Sequence, residues 1–171
     1  METKLARISQ LSKENPDMVF TSLGHLLNKE MLKSCHAQMD GTKPGIFTFL
    51  GFTHYCSRSR NGRFRVKRKT SKKKFAKKCR EVNLLLVKMR TCRLKEMIAK
   101  LNQILTGYYH YYGITDNTES ITAFRYNIMR SLFYCLNRRS QKKSYNWVEF
   151  LNMLDNSYPL VRPRIYVNIY E

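Results

Sequence analysis

The sequence predicts a mainly α-helical protein, in which a small basic β-hairpin precedes a bundle of three to four helices and two further helices lie at the N-terminus. Apolar residues recur at helical spacing in several segments, which is the main signal for helices. Alternating apolar residues flank an Asn-Gly pair at residues 61–62, which indicates a hairpin. The 171 residues carry a formal net charge of +20, concentrated in the middle third of the chain.

Residues 1–45 form the first predicted segment. Asn15-Pro16 separates two helical patterns, because proline disfavours helix at the residue before it. Thr21 or Ser22 can cap the second helix. The Gly- and Pro-containing stretch at residues 40–45 is typical of a turn or linker. We therefore divide the chain into an N-terminal helical segment, residues 1–45, and a second region, residues 46–171.

Residues 46–70 are predicted to form the hairpin. Asn61-Gly62 lies between two alternating runs, and both of its residues tolerate the positive φ angles of a tight turn. Side chains alternate between the two faces of a strand, so four cations share one face after this turn. They are Arg63, Arg65, Lys67 and Lys69.

Three longer helices follow in the prediction. Ser71 can cap the first, the second spans about Leu94–Tyr112 before Gly113, and the third contains an apolar stripe from Ile121 to Leu136. Each stripe has the width expected of a helical bundle. A shorter helix is predicted near residues 147–154, and an extended segment after residue 159.

The charge excess indicates a polyanionic partner. Residues 47–100 contain 18 basic and 2 acidic residues, which gives them a net charge of +16. A solvated charged face is the ordinary explanation of a basic run, but this run alternates with apolar residues over a segment without any carboxylate from residue 41 to residue 80. Nucleic acid is the expected partner, and an anionic membrane surface is the weaker alternative.

Other sequence features suggest an intracellular, cytoplasmic protein. No apolar run approaches the roughly 20 residues of a membrane span. The five cysteines form no Cys-Xaa-Xaa-Cys pair, so we expect reduced thiols and no structural metal site.

Candidate phosphate contacts are the cations of the basic run, and candidate stacking residues come from the cluster Tyr108–Tyr112. Tyr108 and Tyr112 fall on the apolar stripe, whereas Tyr109 or Tyr111 is expected to be exposed and able to stack on an unpaired base. The full set of candidate RNA-binding residues is Arg58, Arg60, Arg63, Arg65, Lys67, Arg68, Lys69, Lys72, Lys73, Lys77, Lys78, Tyr109, Tyr111, Arg138 and Arg139.

Several motifs resemble group II intron-encoded reverse transcriptases. Phe49-Leu50-Gly51-Phe52, followed by a basic hairpin and a Ser-Lys-Lys helix, is similar to the end of their palm and the start of their thumb. The stretch Leu101–Tyr108 with Tyr111-Tyr112-Gly113, and the later Arg162-Pro163-Arg164-Ile165-Tyr166, resemble their maturase-specific, or X, domain. Residues 19–32 resemble the helical region before their fingers.

The resemblance implies binding of group II intron RNA and assistance in its splicing, as part of a mobile genetic element. The family also polymerises DNA, using Mg²⁺ held by a palm Tyr-Xaa-Asp-Asp turn. That motif is absent: the aspartates are Asp17, Asp40, Asp116 and Asp155, and none is adjacent to another. We therefore expect no catalytic residues and no cofactor, and interpret the chain as an internally deleted remnant that lacks the palm.

Two alternatives stay open at this stage. The chain could be part of an active RNA-directed DNA polymerase whose palm is supplied in trans, or it could be a non-functional product of a decayed gene. A DNA target is also compatible with the charge, because phosphate attraction does not distinguish DNA from RNA. The particular intron RNA and the oligomeric state are not specified by the sequence.

Overall fold

The structure is a computed structural model in which residues 46–58, 62, 64–139 and 144–168 are described. The chain divides into two compact units, residues 1–68 and 69–171. The two predicted N-terminal helices lie outside the described residues. The described part is mainly helical and contains a sheet followed by four α-helices, as the sequence predicts.

The sheet has three strands in the order β1-β2-β3: β1 is Phe47–Phe49, β2 is Phe52–Arg58 and β3 is Phe64–Thr70. The prediction of a single hairpin over residues 46–70 was therefore incomplete. The first two strands are antiparallel and connected by Leu50 and Gly51, which have φ angles of 48° and 81°. Two positive φ angles in succession are what a type I′ hairpin turn requires. At the second connection, Gly62 also has a positive φ, 73°, where the sequence places a turn.

His54 is a buried titratable residue in the first unit. Its ring packs edge-to-face against Phe47, its register partner on β1, with 4.6 Å between the centroids. Burial, together with the smaller effect of the nearby Arg68 charge, lowers the pKa of His54 from 6.5 to about 4. The imidazole is therefore neutral at pH 7 and contributes to the sheet as an aromatic packing residue.

The second unit contains the helices. They are α1 (Lys72–Lys88), α2 (Leu94–Tyr112), α3 (Thr118–Asn137) and α4 (Trp147–Asn156), with a short 3₁₀ turn at Thr115–Asn117. The predicted cap of α1 is confirmed, because the Ser71 hydroxyl accepts a hydrogen bond from the Lys74 amide at 3.4 Å. The α4 helix begins with a capping box between Asn146 and Glu149.

The predicted apolar stripes form one core. α3 packs against both α1 and α2, and its stripe is fully buried at Phe124 and Leu132. The Tyr108 ring of α2 stacks on Phe124 with 3.8 Å between the centroids. α4 contributes Phe150, which is also fully buried.

Three asparagine side chains hold the connecting segments in place. Asn117 is 1% exposed; its amide oxygen accepts from the Thr70 backbone N–H at 2.8 Å, and its amide nitrogen donates to the Tyr112 carbonyl at 2.9 Å. Asn102 accepts from the Val161 amide at 2.9 Å. Asn137 accepts from the amide of residue 145 at 2.9 Å. Each side-chain amide hydrogen-bonds in the way a backbone peptide group does, and it satisfies backbone N–H or C=O groups that have no partner within a helix.

Gly113 ends α2, as predicted, but it does not adopt a left-handed conformation. Its φ is −78°, which any residue adopts. Its carbonyl accepts from the amides of Tyr166 and Val167 at 2.8 and 3.2 Å. A Cβ on this residue would lie 2.6 Å from the Arg164 carbonyl oxygen and closer still to that of Tyr109. Glycine is required here because the C-terminal segment passes directly against the helix end.

The expectation of reduced cysteines was wrong for one residue. Cys56 on β2 is disulfide-bonded. Cys79, Cys92 and Cys135 are free thiols. Burial raises the pKa of the Cys79 thiol, and the Cys135 thiol points to the Leu86 carbonyl at 3.3 Å, so these two act as small packing residues of the core.

Within the described part of the chain, no helix is both long enough and apolar enough to cross a membrane.

We expect the sheet to lose stability in mild acid because of His54. Its pKa is 6.5 in the unfolded chain and about 4 when folded, so stability is constant above pH 6.5 and falls as the pH drops from 6.5 to 4, while the unfolded chain takes up the proton. At pH 5 the loss is about 2 kcal/mol. The measurement is urea unfolding at pH 7.5 and pH 5, followed through the NMR signals of β2. His54→Phe should abolish this difference, and an equal difference in the variant would contradict the assignment.

Substitution of two glycines by alanine should change the free energy of unfolding in opposite directions. Gly113→Ala should lower the free energy of unfolding by about 3 kcal/mol, because the added methyl group overlaps two carbonyl oxygens. Gly107→Ala should raise it by about 1 kcal/mol, since Gly107 lies inside α2 with no atom within 4 Å of the added carbon. Chemical denaturation of both variants provides the comparison, and equal effects would count against the close packing at Gly113.

Candidate nucleic-acid interface

A groove of about 410 Å³ runs between α1 and α2, within the second unit. One wall is α1, where Lys74, Lys77 and Lys78 lie on one side of the helix because residues three and four apart are neighbours. The other wall is α2. We call this site the α1–α2 groove, and its lining residues are Lys74, Lys77, Lys78, Glu81, Gln103, Ile104, Gly107, Tyr108, Tyr111 and Tyr112.

Tyr111 is the aromatic residue that the groove presents to solvent. It is 54% exposed, which confirms the prediction that one of the two outer tyrosines is accessible. Its ring packs edge-to-face on Tyr112 at 4.7 Å between centroids, and Tyr112 in turn contacts Tyr108 at 4.6 Å. The exposed ring is therefore supported by a series of aromatic contacts that reaches the core at Phe124.

Gly107 keeps the floor of the groove open. A Cβ at this position would meet no atom within 4 Å, so alanine would fit without a clash. Glycine inside a helix costs about 1 kcal/mol relative to alanine. Because packing does not require glycine here, the open space itself is the feature that Gly107 provides.

The electrostatics of the groove favour an anion. The first turn of α1 contains no acidic residue and begins with Lys72, Lys73 and Lys74, although the positive end of the helix dipole prefers negative charge. The Glu81 carboxylate lines the groove and pairs with Lys78 at 3.3 Å. Both side chains are nearly half exposed, so this pair adds little stability. A bound phosphate would relieve the repulsion between the lysines.

β3 confirms the predicted alternation of its cations. Arg65 and Lys69 are exposed, whereas Val66 and Thr70 between and beyond them are buried. Lys67 is half-buried on the same side as Arg65, and Arg68 is half-buried with the opposite parity. In addition, Arg58 is exposed at the end of β2. Arg60 and Arg63 lie outside the described residues.

The prediction that Tyr109 stacks on a base was wrong. Tyr109 is 0% exposed, so neither face of its ring is accessible. Its hydroxyl donates to the Val161 carbonyl at 3.4 Å, and burial raises its pKa well above the usual range. Tyr109 therefore fixes the C-terminal segment against α2.

The two candidate arginines at the end of α3 differ from each other. Arg139 donates to the Cys92 carbonyl at 3.0 Å and contacts the Met97 sulfur. Its guanidinium therefore links the end of α3 to the loop between α1 and α2 and to the start of α2. Arg138 is exposed and lines a groove of about 320 Å³ between α1 and α3. Both arginines are exposed, and contact of either with RNA stays a prediction.

Sequence reasoning missed Lys74, Gln103 and Gly107 as groove residues. The signal for Lys74 was present, because it lies three and four positions before Lys77 and Lys78. No sequence pattern marked Gly107 as a groove residue, because its place in the groove depends on how α1 packs beside α2. Among the described residues, no three His, Cys, Asp or Glu side chains are grouped so that they could hold a metal ion.

Comparison with protein families provides the identification. Residues 72–149 match the family model of the group II intron maturase-specific domain, a segment that contains α1, α2, α3 and the first residues of α4. The helical segment is thus similar to the maturase-specific domain of group II intron proteins. The resemblance seen in the sequence is thereby confirmed for the region that contains the α1–α2 groove. Comparison with curated proteins and with solved structures finds no match.

Proposed function

We propose that this protein binds group II intron RNA through the α1–α2 groove of its maturase-specific domain. The observation that carries the proposal is the combination, in one groove, of three lysines with an exposed and well-supported tyrosine. Cations that follow a backbone and aromatic rings that accept bases are the two elements of single-stranded nucleic-acid sites.

The groove geometry suggests how an unpaired nucleotide would bind. Its base would stack on Tyr111, which is worth roughly 1–3 kcal/mol. Its phosphates would contact Lys74, Lys77 and Lys78 as point charges. Gln103, on the α2 wall, offers both a donor and an acceptor to a base edge or to a ribose hydroxyl.

The cations on β3 form a second set of proposed phosphate contacts. Arg65, Lys67 and Lys69 have the same parity on β3, opposite to the buried Val66 and Thr70, and a strip of cations on one strand face suits a nucleic-acid backbone. These contacts would raise affinity and salt sensitivity without reading sequence.

We extend the proposal to assistance in splicing, in which the bound protein stabilises the folded intron RNA. Binding of this kind uses charge and stacking and requires no metal cofactor of its own. We propose no polymerase activity for this chain, because the sequence contains no adjacent pair of aspartates for two-metal chemistry.

The first test concerns the lysines of the α1–α2 groove. Affinity for a folded group II intron RNA and for duplex DNA of equal length should be measured over a salt series by fluorescence anisotropy. Lys74→Gln with Lys77→Gln should lower the salt slope for RNA by about 2, since each lost phosphate contact removes nearly one unit. Lys95→Gln, an exposed lysine of α2 outside this groove, serves as the charge control. Equal slopes for the double variant and the wild type would contradict the proposal.

The second test blocks the groove without removing charge. Gly107→Leu should weaken RNA binding about tenfold, because the side chain fills the open floor, yet it should not destabilise the fold, since leucine favours helices. Tyr111→Leu should weaken binding by a similar factor through the loss of stacking. Binding constants are compared with unfolding midpoints for each variant. Unchanged RNA affinity in both stable variants would exclude the groove as the binding site.

A further inference from the structure

The outer face of α3 carries a regular alternation of tyrosine and arginine. Tyr126, Arg130 and Tyr134 are each four residues apart on α3, and Arg138 is the C-cap residue four positions further on. The three helical residues therefore lie on successive turns at steps of about 6 Å. Tyr126 and Tyr134 are each 51% exposed. We call these four residues the α3 ladder.

The first three side chains of the α3 ladder contact one another. The Arg130 guanidinium lies 5.9 Å from the centroid of the Tyr126 ring and 5.9 Å from that of Tyr134. One cation is thus placed between two accessible rings, so the side chains are arranged before any ligand binds.

A groove lies at each end of the α3 ladder. Near Tyr126, a groove of about 530 Å³ is also lined by Arg125, Trp147 and Arg162. Near Tyr134 and Arg138 lies the groove of about 320 Å³ between α1 and α3. Neither groove has a carboxylate among its lining residues. The arginines that line the two grooves therefore have no neutralising acid within either groove.

We propose that the α3 ladder is a second binding site for unpaired RNA, separate from the α1–α2 groove. Bases stack on Tyr126 and Tyr134, and phosphates contact Arg130 and Arg138. The inference rests on the proposed function, in that it assigns the same class of ligand to a different surface of the domain.

The charge and chemistry of the ladder favour RNA over a protein partner. Arginines without neighbouring carboxylates are complementary to a polyanion. Tyrosine faces at regular steps accept any base, because every base has a π face. Leu84 and Val87 of α1 are exposed, and Val87 lines the groove beside Tyr134, where it offers apolar contact to a ribose or a base.

Two sites on one domain would let it hold two RNA segments at once. The α1–α2 groove is formed by α1 with α2, and the groove beside Arg138 is formed by α1 with α3. The two grooves share no lining residue, so both can be occupied together. Such binding would bring two unpaired stretches of one intron close together.

Trp147 provides a local reporter for the experiment. It is the single tryptophan of the chain and lies 6.3 Å from the Tyr126 ring centroid. Titration of the full chain with a 12-nucleotide oligouridylate should quench Trp147 fluorescence, because a base that stacks on Tyr126 approaches the indole. Gly107→Leu should leave this quenching unchanged, since it blocks only the α1–α2 groove.

Variants of the α3 ladder separate the possible outcomes. Tyr126→Leu with Tyr134→Leu should lower the oligouridylate affinity obtained from Trp147 quenching about tenfold or more. Arg130→Gln should lower this affinity more than Lys95→Gln does. Circular dichroism and thermal unfolding check that the variants fold. If anisotropy shows RNA binding by the wild type but Trp147 is not quenched, or if the ladder variants match the wild type, the second site is excluded while the proposed function stands. If the wild type binds no RNA by either method, both proposals fail.

Discussion

The side-chain amide of Asn117 is the interaction on which the arrangement of the domain depends. Its oxygen accepts from the Thr70 backbone N–H, and its nitrogen donates to the Thr70 hydroxyl and to the Tyr112 carbonyl, all at 2.8–2.9 Å. It thereby connects a residue two positions before α1 to the last residue of α2. Because α1 begins two residues after Thr70, this amide sets where its lysines stand opposite Tyr111. An unsatisfied buried amide would cost several kcal/mol, of which about 1–3 arises from each unpaired group.

Local signals predicted most of the helical architecture. The bounds of α2 at Leu94 and Tyr112, the cap at Ser71 and the buried stripe of α3 all agree with the structure. Helical periodicity and capping depend on residues within one or two turns, so they can be read from neighbouring positions. The alternation of Arg65, Val66 and Thr70 on β3 was predictable for the same reason.

Features that depend on distant partners were not predictable. Tyr109 and Tyr111 have similar sequence surroundings, but Tyr109 is buried because the segment at Val161 covers it. The Leu50-Gly51 turn carries a weaker signal than Asn-Gly, since leucine rarely adopts a positive φ. The α3 ladder was overlooked because Tyr126 and Tyr134 fell outside the apolar stripe and only contact geometry shows that Arg130 lies between them.

The closure at Gly113 has a consequence for the architecture of the whole gene product. The chain enters the helical domain at Thr70, which is hydrogen-bonded to Asn117, and its last described segment returns to Gly113, Ile114 and Thr115. Entry and exit are thus anchored within five consecutive residues, which is the arrangement of a domain that can be inserted into another sequence. Domains of this kind tolerate transplantation and circular permutation, because their packing does not depend on what is fused to either end. A helical unit with such a closed base is suited to being joined to different upstream sequences.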